Sequence, residues 1–319
     1  MQRLRLLTLL SVATLTIVPA ATDAAPKRKF IAADSSKKRI AVVDESGKTI
    51  WQRRIGPLHD FQMLPNGNIL LQDSWTHLIE VDPKTDKIVW QYDAQTSNGN
   101  TGKRVEVHSF QRLDNGDTMI AESGPSRIIE VDKSGRLKKI VHLKVRKSSP
   151  HRDTRLVRKL DNGHYLVCHE GDGVVKEYDS AGKVVWEFAV PLFGKKRRGG
   201  HGVNAFGNQC YSAVRLPNGN TLIGTGNGHS VIEVTPMKKI VWKLEQNDLP
   251  GIQLAWVTTL QVLPNGNIVI GNCHAGPKNP QIIEVTKGKK VVWSFTDFQR
   301  FGNALTNSRI LTMDRRPVR

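Results

Sequence analysis

The stretch "HDFQMLPNGNILLQDSWTHLIEVDPKTDKIVWQYD", His59 to Asp93, carries two hairpin signals in one run. The first is its Asn-Gly turn at Asn66–Gly67, flanked by short apolar and β-branched runs. Asn-Gly tolerates positive φ and joins adjacent antiparallel strands tightly. The second is "IEVDPKTDKIVWQY", again two strand-like runs around a polar turn. The Asn-Gly signal recurs in "RLDNGDTM", "KLDNGHYL", "RLPNGNTL" and "VLPNGNIV", with turn glycines Gly67, Gly116, Gly163, Gly219 and Gly266 spaced by 49, 47, 56 and 47 residues. A partner hairpin follows each one, as in "YDSAGKVVWEFAV" and "IEVTKGKKVVWSF".

Each unit thus holds four short antiparallel strands, a to d from the channel outward. Four strands at a period near 50 residues predict a blade of a β-propeller. No helical crossover pattern separates the strands, which excludes a parallel sheet. The ends set the blade count. "KFIAADSSKKRIAVVDESGKTIWQRR" supplies strands b, c and d without an a, and "LTNSRILTMD" supplies an a alone. The expected fold is all-β: a six-bladed β-propeller whose ring is closed by N-terminal strands b–d with a C-terminal strand a. Such closure removes open sheet edges. Five of seven tryptophans recur in strand d, at Trp51, Trp90, Trp186, Trp242 and Trp293, which reads as packing between blades. His142 of "KIVHL" reads as the substituted core residue of the third hairpin.

Residues 1–25 read as a signal peptide: Arg3 and Arg5, then "LLTLLSVATLTIV", then small residues up to Ala24 and Ala25. Residues 26–319 are expected to form a single propeller domain, exported to the periplasm or beyond the cell, with no membrane span. The formal charge is +18, and losing residues 1–25 leaves it near +17. Export argues against a nucleic-acid partner, so the charge reads as a solvated basic surface or an attraction for anions. Three cysteines (Cys168, Cys210 and Cys273) exclude a disulfide-rich scaffold. A monomer is expected.

Propeller geometry sorts the unusual residues. Strand a starts at the same face as the b-to-c loops, here the top; the Asn-Gly turns lie at the other face. His59, His108, Arg155, Tyr211, Thr258 and Thr306 share one repeat position and should ring the top of the channel. His151 and His201 lie in d-to-a connections; His77, His169, His229 and His274 lie near b-to-c loops; Trp75 and Trp256 map to the same face. Eight of ten histidines therefore sort to the top. The insertion "GKKRRGGHGVNAFGNQC" lies there too, and long insertions often carry function. Imidazole, guanidinium, phenol and amide groups suit an anionic ligand or acid–base and nucleophilic work on one. The candidate catalytic residues are His59 and His108. The candidate ligand-binding residues are Arg155, His169, His201, Tyr211, Trp256, Thr258, Asn272 and His274. No metal site is expected, because no metal-ligand spacing is visible.

On these motifs the chain resembles two families. "VDPKTDKIVWQYD" and "YDSAGKVVWEFAV" are similar to the repeats of quinoprotein-type propellers. Dehydrogenases of that group carry pyrroloquinoline quinone with calcium in eight blades. This chain counts to six and lacks an adjacent cysteine pair, so no cofactor is expected. "HDFQMLPNGNIL" resembles the strand pattern of bacterial aryl sulfotransferases, exported six-bladed propellers that transfer a sulfo group through a histidine. That resemblance implies His59 or His108 as nucleophile and Arg155 as a sulfate contact; the later repeats depart from it with Arg, Tyr and Thr. Three functions stay open: binding of a small or polymeric anionic ligand at the His-rich face, sulfotransferase-type group transfer, and a protein-interaction scaffold.

Overall fold

The computed structural model describes residues 26–146, 148–313 and 316–317; the expected signal peptide lies outside the described residues. Twenty-five strands form six antiparallel sheets, five of four strands and one of five. Blade 1 joins both ends of the chain. Its inner strand is Leu305–Met313, followed outward by Arg28–Asp34, Arg39–Val43 and Thr49–Arg54. The backbone at Arg316–Pro317 adds a short fifth strand against Thr312 and Met313. Blades 2 to 6 begin with inner strands Phe61–Met63, Glu106–Arg112, Val157–Lys159, Ser212–Arg215 and Trp256–Val262, each followed by its b, c and d strands in chain order. The insertion before blade 5 folds as turns with one isolated bridge, Arg198 to Phe206, so the count stays at six.

The recurring turn has a definite chemistry. Gly67 N donates to Leu64 O at 2.9 Å and Leu64 N to Asn68 O at 2.8 Å, and only Gly67 takes a positive φ, of 87°. Pro65-Asn66-Gly67 is therefore a three-residue loop, a turn closed by a left-handed glycine, rather than a two-residue Asn-Gly hairpin. Proline presets the first loop position, and the Asn66 side chain accepts from Asn68 N at 3.0 Å.

The core sits between blades. Six apolar clusters each join neighbouring blades, and the cluster of Phe30, Ile310, Ile282 and Phe301 closes the ring between blades 6 and 1. The five strand-d tryptophans pack at the rims of five of these clusters. Three of them bond across the gap: Trp90, Trp186 and Trp242 donate their indole N–H to carbonyls of Lys133, Pro236 and Lys287 in the next blade. Register corrects one expectation. In blades 2, 4, 5 and 6 the tryptophan faces a strand-c glutamate, whereas in blade 3 Glu130 faces Lys139. Lys139 thus holds the tryptophan position, and His142 is exposed three residues further on.

Those glutamates form a second link between blades. Glu80 pairs with Arg112, Glu130 with Lys159, Glu177 with Arg215, Glu233 with Lys287 and Glu284 with Arg28, each partner coming from the following blade. In the channel, Asp60 is fully buried and gathers four blades. It accepts from Arg158 at 2.7 and 2.8 Å, Ser109 at 2.7 Å and Asn307 at 3.2 Å.

Candidate functional site

The shared repeat position does ring the top of the channel. Beneath the top loops lies a cavity of about 390 Å³, lined by His59, Arg155, Tyr211, Thr258 and Thr306 from five of the six blades. The sixth residue, His108, is fully buried and stacks behind His59 with ring centroids 4.7 Å apart. The connections add Trp75, His151, His201, His274 and Lys38 to the walls, and the start of the blade 6 inner strand adds Trp256. No carboxylate is among the described residues that line it.

The walls form two aromatic groups. On one side His59, His108, His151 and Trp75 meet with centroids 4.7 to 6.0 Å apart. On the other, His201 sits 4.7 Å from Trp256 and 5.0 Å from His274. Burial, with nearby Arg155, His108 and His151, holds the His59 pKa well below the usual imidazole value. Burial and the Arg155 charge take His108 down to about 3, the Glu106 contact notwithstanding. Burial and His201 lower His274 to about 4. These rings are neutral donors and acceptors at neutral pH, and the cations of the cavity wall are Lys38 and Arg155, whose Nε pairs with buried Glu170.

Hydrogen bonds orient the His59 ring. His108 Nε2 faces two acceptors, Glu106 Oε2 at 3.2 Å and Pro150 O at 3.2 Å, so it donates. His108 Nδ1 then accepts from Arg155 Nη1 at 3.1 Å and from His59 Nδ1 at 2.5 Å. That leaves the lone pair of His59 on Nε2. A carboxylate, an imidazole and a second imidazole thus run in series from Glu106 to His59. Glu106 carried no sequence signal, since it lies two residues before the recognised repeat position. Burial pushes its pKa up, but hydrogen bonds from His108 and His151 outweigh this and bring it to about 2.

Two hydroxyls in the ring have no partner. Tyr211 Oη and Thr258 Oγ1 are buried without any hydrogen bond, and both residues line the cavity. Burial raises the Tyr211 pKa well above the ordinary phenol value, so it stays a proton donor. Two expected ligand residues face elsewhere. His169 is fully buried, bonding Asp153 O at 2.7 Å and Tyr178 Oη at 2.9 Å. Asn272 ties the loops above blade 6, accepting from Ala255 N at 2.8 Å and donating to Gln253 O and Pro280 O. His151 and Trp75, sorted to this face but given no role, do line the cavity.

A family model described as outer membrane protein assembly factor BamB, with PQQ-like repeats, matches residues 36–295. The chain belongs to this PQQ-like, BamB-type propeller family. No curated protein matches it in sequence. A structure of a protein of unknown function from Bacteroides caccae is similar at a TM-score of 0.72 and 21% identity, over 88% of this chain and 98% of that one. A streptogramin B lyase structure is similar at a TM-score of 0.57 and 12% identity, over 87% of this chain and 85% of that one. A virginiamycin B lyase from Staphylococcus aureus, a catalytically inactive histidine-to-alanine variant with quinupristin, gives 0.57 and 10%, over 88% and 87%. At such identities the likeness to these structures is one of fold. No helix among the described residues is long and apolar enough to cross a membrane.

Proposed function

We propose that this BamB-type propeller is an exported protein that binds a small anionic ligand with an aromatic or apolar body in the top cavity. The observation that carries the reading is the pair of orphaned buried hydroxyls, Tyr211 Oη and Thr258 Oγ1, in a wall without carboxylates. An unpaired buried hydroxyl costs free energy, and a ligand oxygen that reaches either group would satisfy it. Arg155 supplies positive charge, and Trp75, Trp256 and the imidazoles supply flat surfaces for the body. The cavity volume falls in the range of small-molecule sites. Export rests on the basic start and apolar run of residues 1–25 and on the family. Quinone is not part of the reading, because a calcium partner would find no carboxylate in this wall.

The test uses thermal shift and calorimetry with aryl sulfates, phosphates and carboxylates beside their neutral analogues. Anions should stabilise the protein, and Tyr211→Phe and Thr258→Val should each weaken binding about tenfold or more. Both variants should leave the ligand-free protein as stable as before, because each removes an unsatisfied group. Equal response to neutral analogues, or unchanged binding in Tyr211→Phe, would refute the reading.

Group transfer through His59 is a second reading, favoured by the series Glu106–His108–His59, which leaves Nε2 as the nucleophilic atom. Intact mass after mixing with an aryl sulfate tests it: a sulfo adduct lost in His59→Ala supports it, and no adduct with no phenol release opposes it. A docking platform for envelope assembly is favoured by the family alone. The exposed large apolar residues, such as Ile50, Val89, Leu137, Val185 and Val241, lie on the outer strands of five different blades rather than in one patch.

A further inference from the structure

We propose that Glu106, His108 and His151 form a site for one divalent transition-metal ion of the zinc class just behind the wall of the top cavity, which only His151 of the three lines. The three donor atoms lie within 4.8 Å of one another. Glu106 Oε2 stands 3.2 Å from His108 Nε2 and 2.7 Å from His151 Nδ1. Bonds of about 2.0–2.1 Å in a tetrahedral shell put neighbouring donors about 3.4 Å apart. Glu106 and buried His108 already have nearly that spacing, and His151, with a side chain 51% exposed, is free to move outward by the roughly 0.7 Å its contact with Glu106 requires.

The fold supplies the pieces from two places. Glu106 and His108 stand two apart on the inner strand of blade 3, at a register shift between Val107 and Ser109 that leaves His108 without a strand partner. Such bulges re-aim side chains. His151 comes from the connection to blade 4, and its carbonyl accepts from the Arg155 guanidinium, which pins that turn beside the strand. No short-range spacing joins the three, which is why the sequence shows no metal motif.

The donor set selects the ion. Two imidazole nitrogens and one carboxylate oxygen suit zinc, iron(II), cobalt(II) or nickel(II); calcium and magnesium prefer an all-oxygen shell. Three protein ligands leave a fourth position, as in open zinc sites, and exposed His151 gives the ion a way in. Without an ion the same atoms are held together by hydrogen bonds. With one, His108 Nε2 must offer its lone pair, so its proton moves to Nδ1, against His59 Nδ1. His59 then accepts there and carries its own proton on Nε2. Metal binding thus turns the cavity-facing atom of His59 from acceptor to donor. His59 then takes the place of the orienting partner that metal-bound histidines require, and Arg155 Nη1, which donates to His108 Nδ1 in the ion-free state, keeps the His151 and Thr154 carbonyls as acceptors.

The experiment is a Zn²⁺ titration of chelator-stripped folded protein by calorimetry, with Co²⁺ absorption as a second readout. One ion per chain should bind, and the Co²⁺ spectrum should show nitrogen–oxygen coordination. His151→Ala, at an exposed position, and Glu106→Gln should each weaken uptake at least tenfold, whereas His201→Ala, in the other aromatic group, should not. Absence of uptake, uptake that survives His151→Ala and Glu106→Gln, or uptake lost equally in His201→Ala would overturn the assignment. The inference does not rest on the anion reading: Tyr211→Phe should leave zinc affinity unchanged.

Discussion

Asp60→Asn is the sharpest test of how the channel is held together. Asp60 is wholly buried, takes two bonds from the Arg158 guanidinium, and accepts from Ser109 and Asn307 on other blades. The amide keeps the shape but turns one acceptor into a donor facing Arg158 and removes the charge. Breaking a buried pair from one side costs about 3–5 kcal/mol. The Arg158 side chain is 37% exposed and can regain some water, which favours the lower figure. At about 2 °C per kcal/mol for a chain of this size, Tm should fall by roughly 6–10 °C. The assay is thermal and urea unfolding of the wild type, Asp60→Asn, Arg158→Met and the double variant. The two single losses should overlap, with a coupling of about 1–3 kcal/mol. A Tm loss below about 2 °C in Asp60→Asn, or single effects that add to within about 0.5 kcal/mol, would refute the view of Asp60 as the shared anchor of four blades.

Two further predictions concern stability. Burial lowers His169 to about 4, although the Asp153 carbonyl opposes the shift. In the unfolded chain this ring binds its proton near the ordinary value of about 6.5, so its neutral burial adds stability above that pH. The contribution is lost as pH falls from about 6.5 to about 4 and changes little below. The span corresponds to roughly 3 kcal/mol, and His169→Gln should flatten that part of the Tm–pH curve. Separately, Trp90→Phe should cost about 1–2 kcal/mol in urea unfolding, since its indole bonds Lys133 O at 2.9 Å and lies 4.6 Å from the Arg112 guanidinium. Trp51→Phe should cost less, because the Trp51 indole nitrogen is buried without a partner.

The repeat made the fold legible because period-two strands and fixed turns write their spacing directly into the chain. The same register placed His59, Arg155, Tyr211, Thr258 and Thr306 around one cavity, since strand a starts equivalently in every blade. Side-chain direction was not legible. His169 and Asn272 come from the right face, but their polar atoms are taken by carbonyls and amides of their own loops. Glu106 gives no signal in the sequence because its partners come from a bulge and from a connection 45 residues on. The basic composition also hid a division of labour. Arg112, Lys159, Arg215, Lys287 and Arg28 tie blade to blade through the strand-c glutamates rather than forming a uniform solvated surface. His142 does not hold the tryptophan position, although "KIVHL" matches "KIVWQ" in its letters, because the ladder puts Lys139 opposite Glu130.

The sheet that joins the two ends of the chain also orders events in time. Its inner strand, Leu305–Met313, is synthesised after the strands of blades 2 to 6, and its partner, Arg28–Asp34, before them. Until the last strand arrives, blade 1 has an open edge and blade 6 lacks the Ile310 and Leu305 side of its core. The ring therefore closes only after the five other blades have been made and the Leu305–Met313 strand can reach back to Arg28–Asp34.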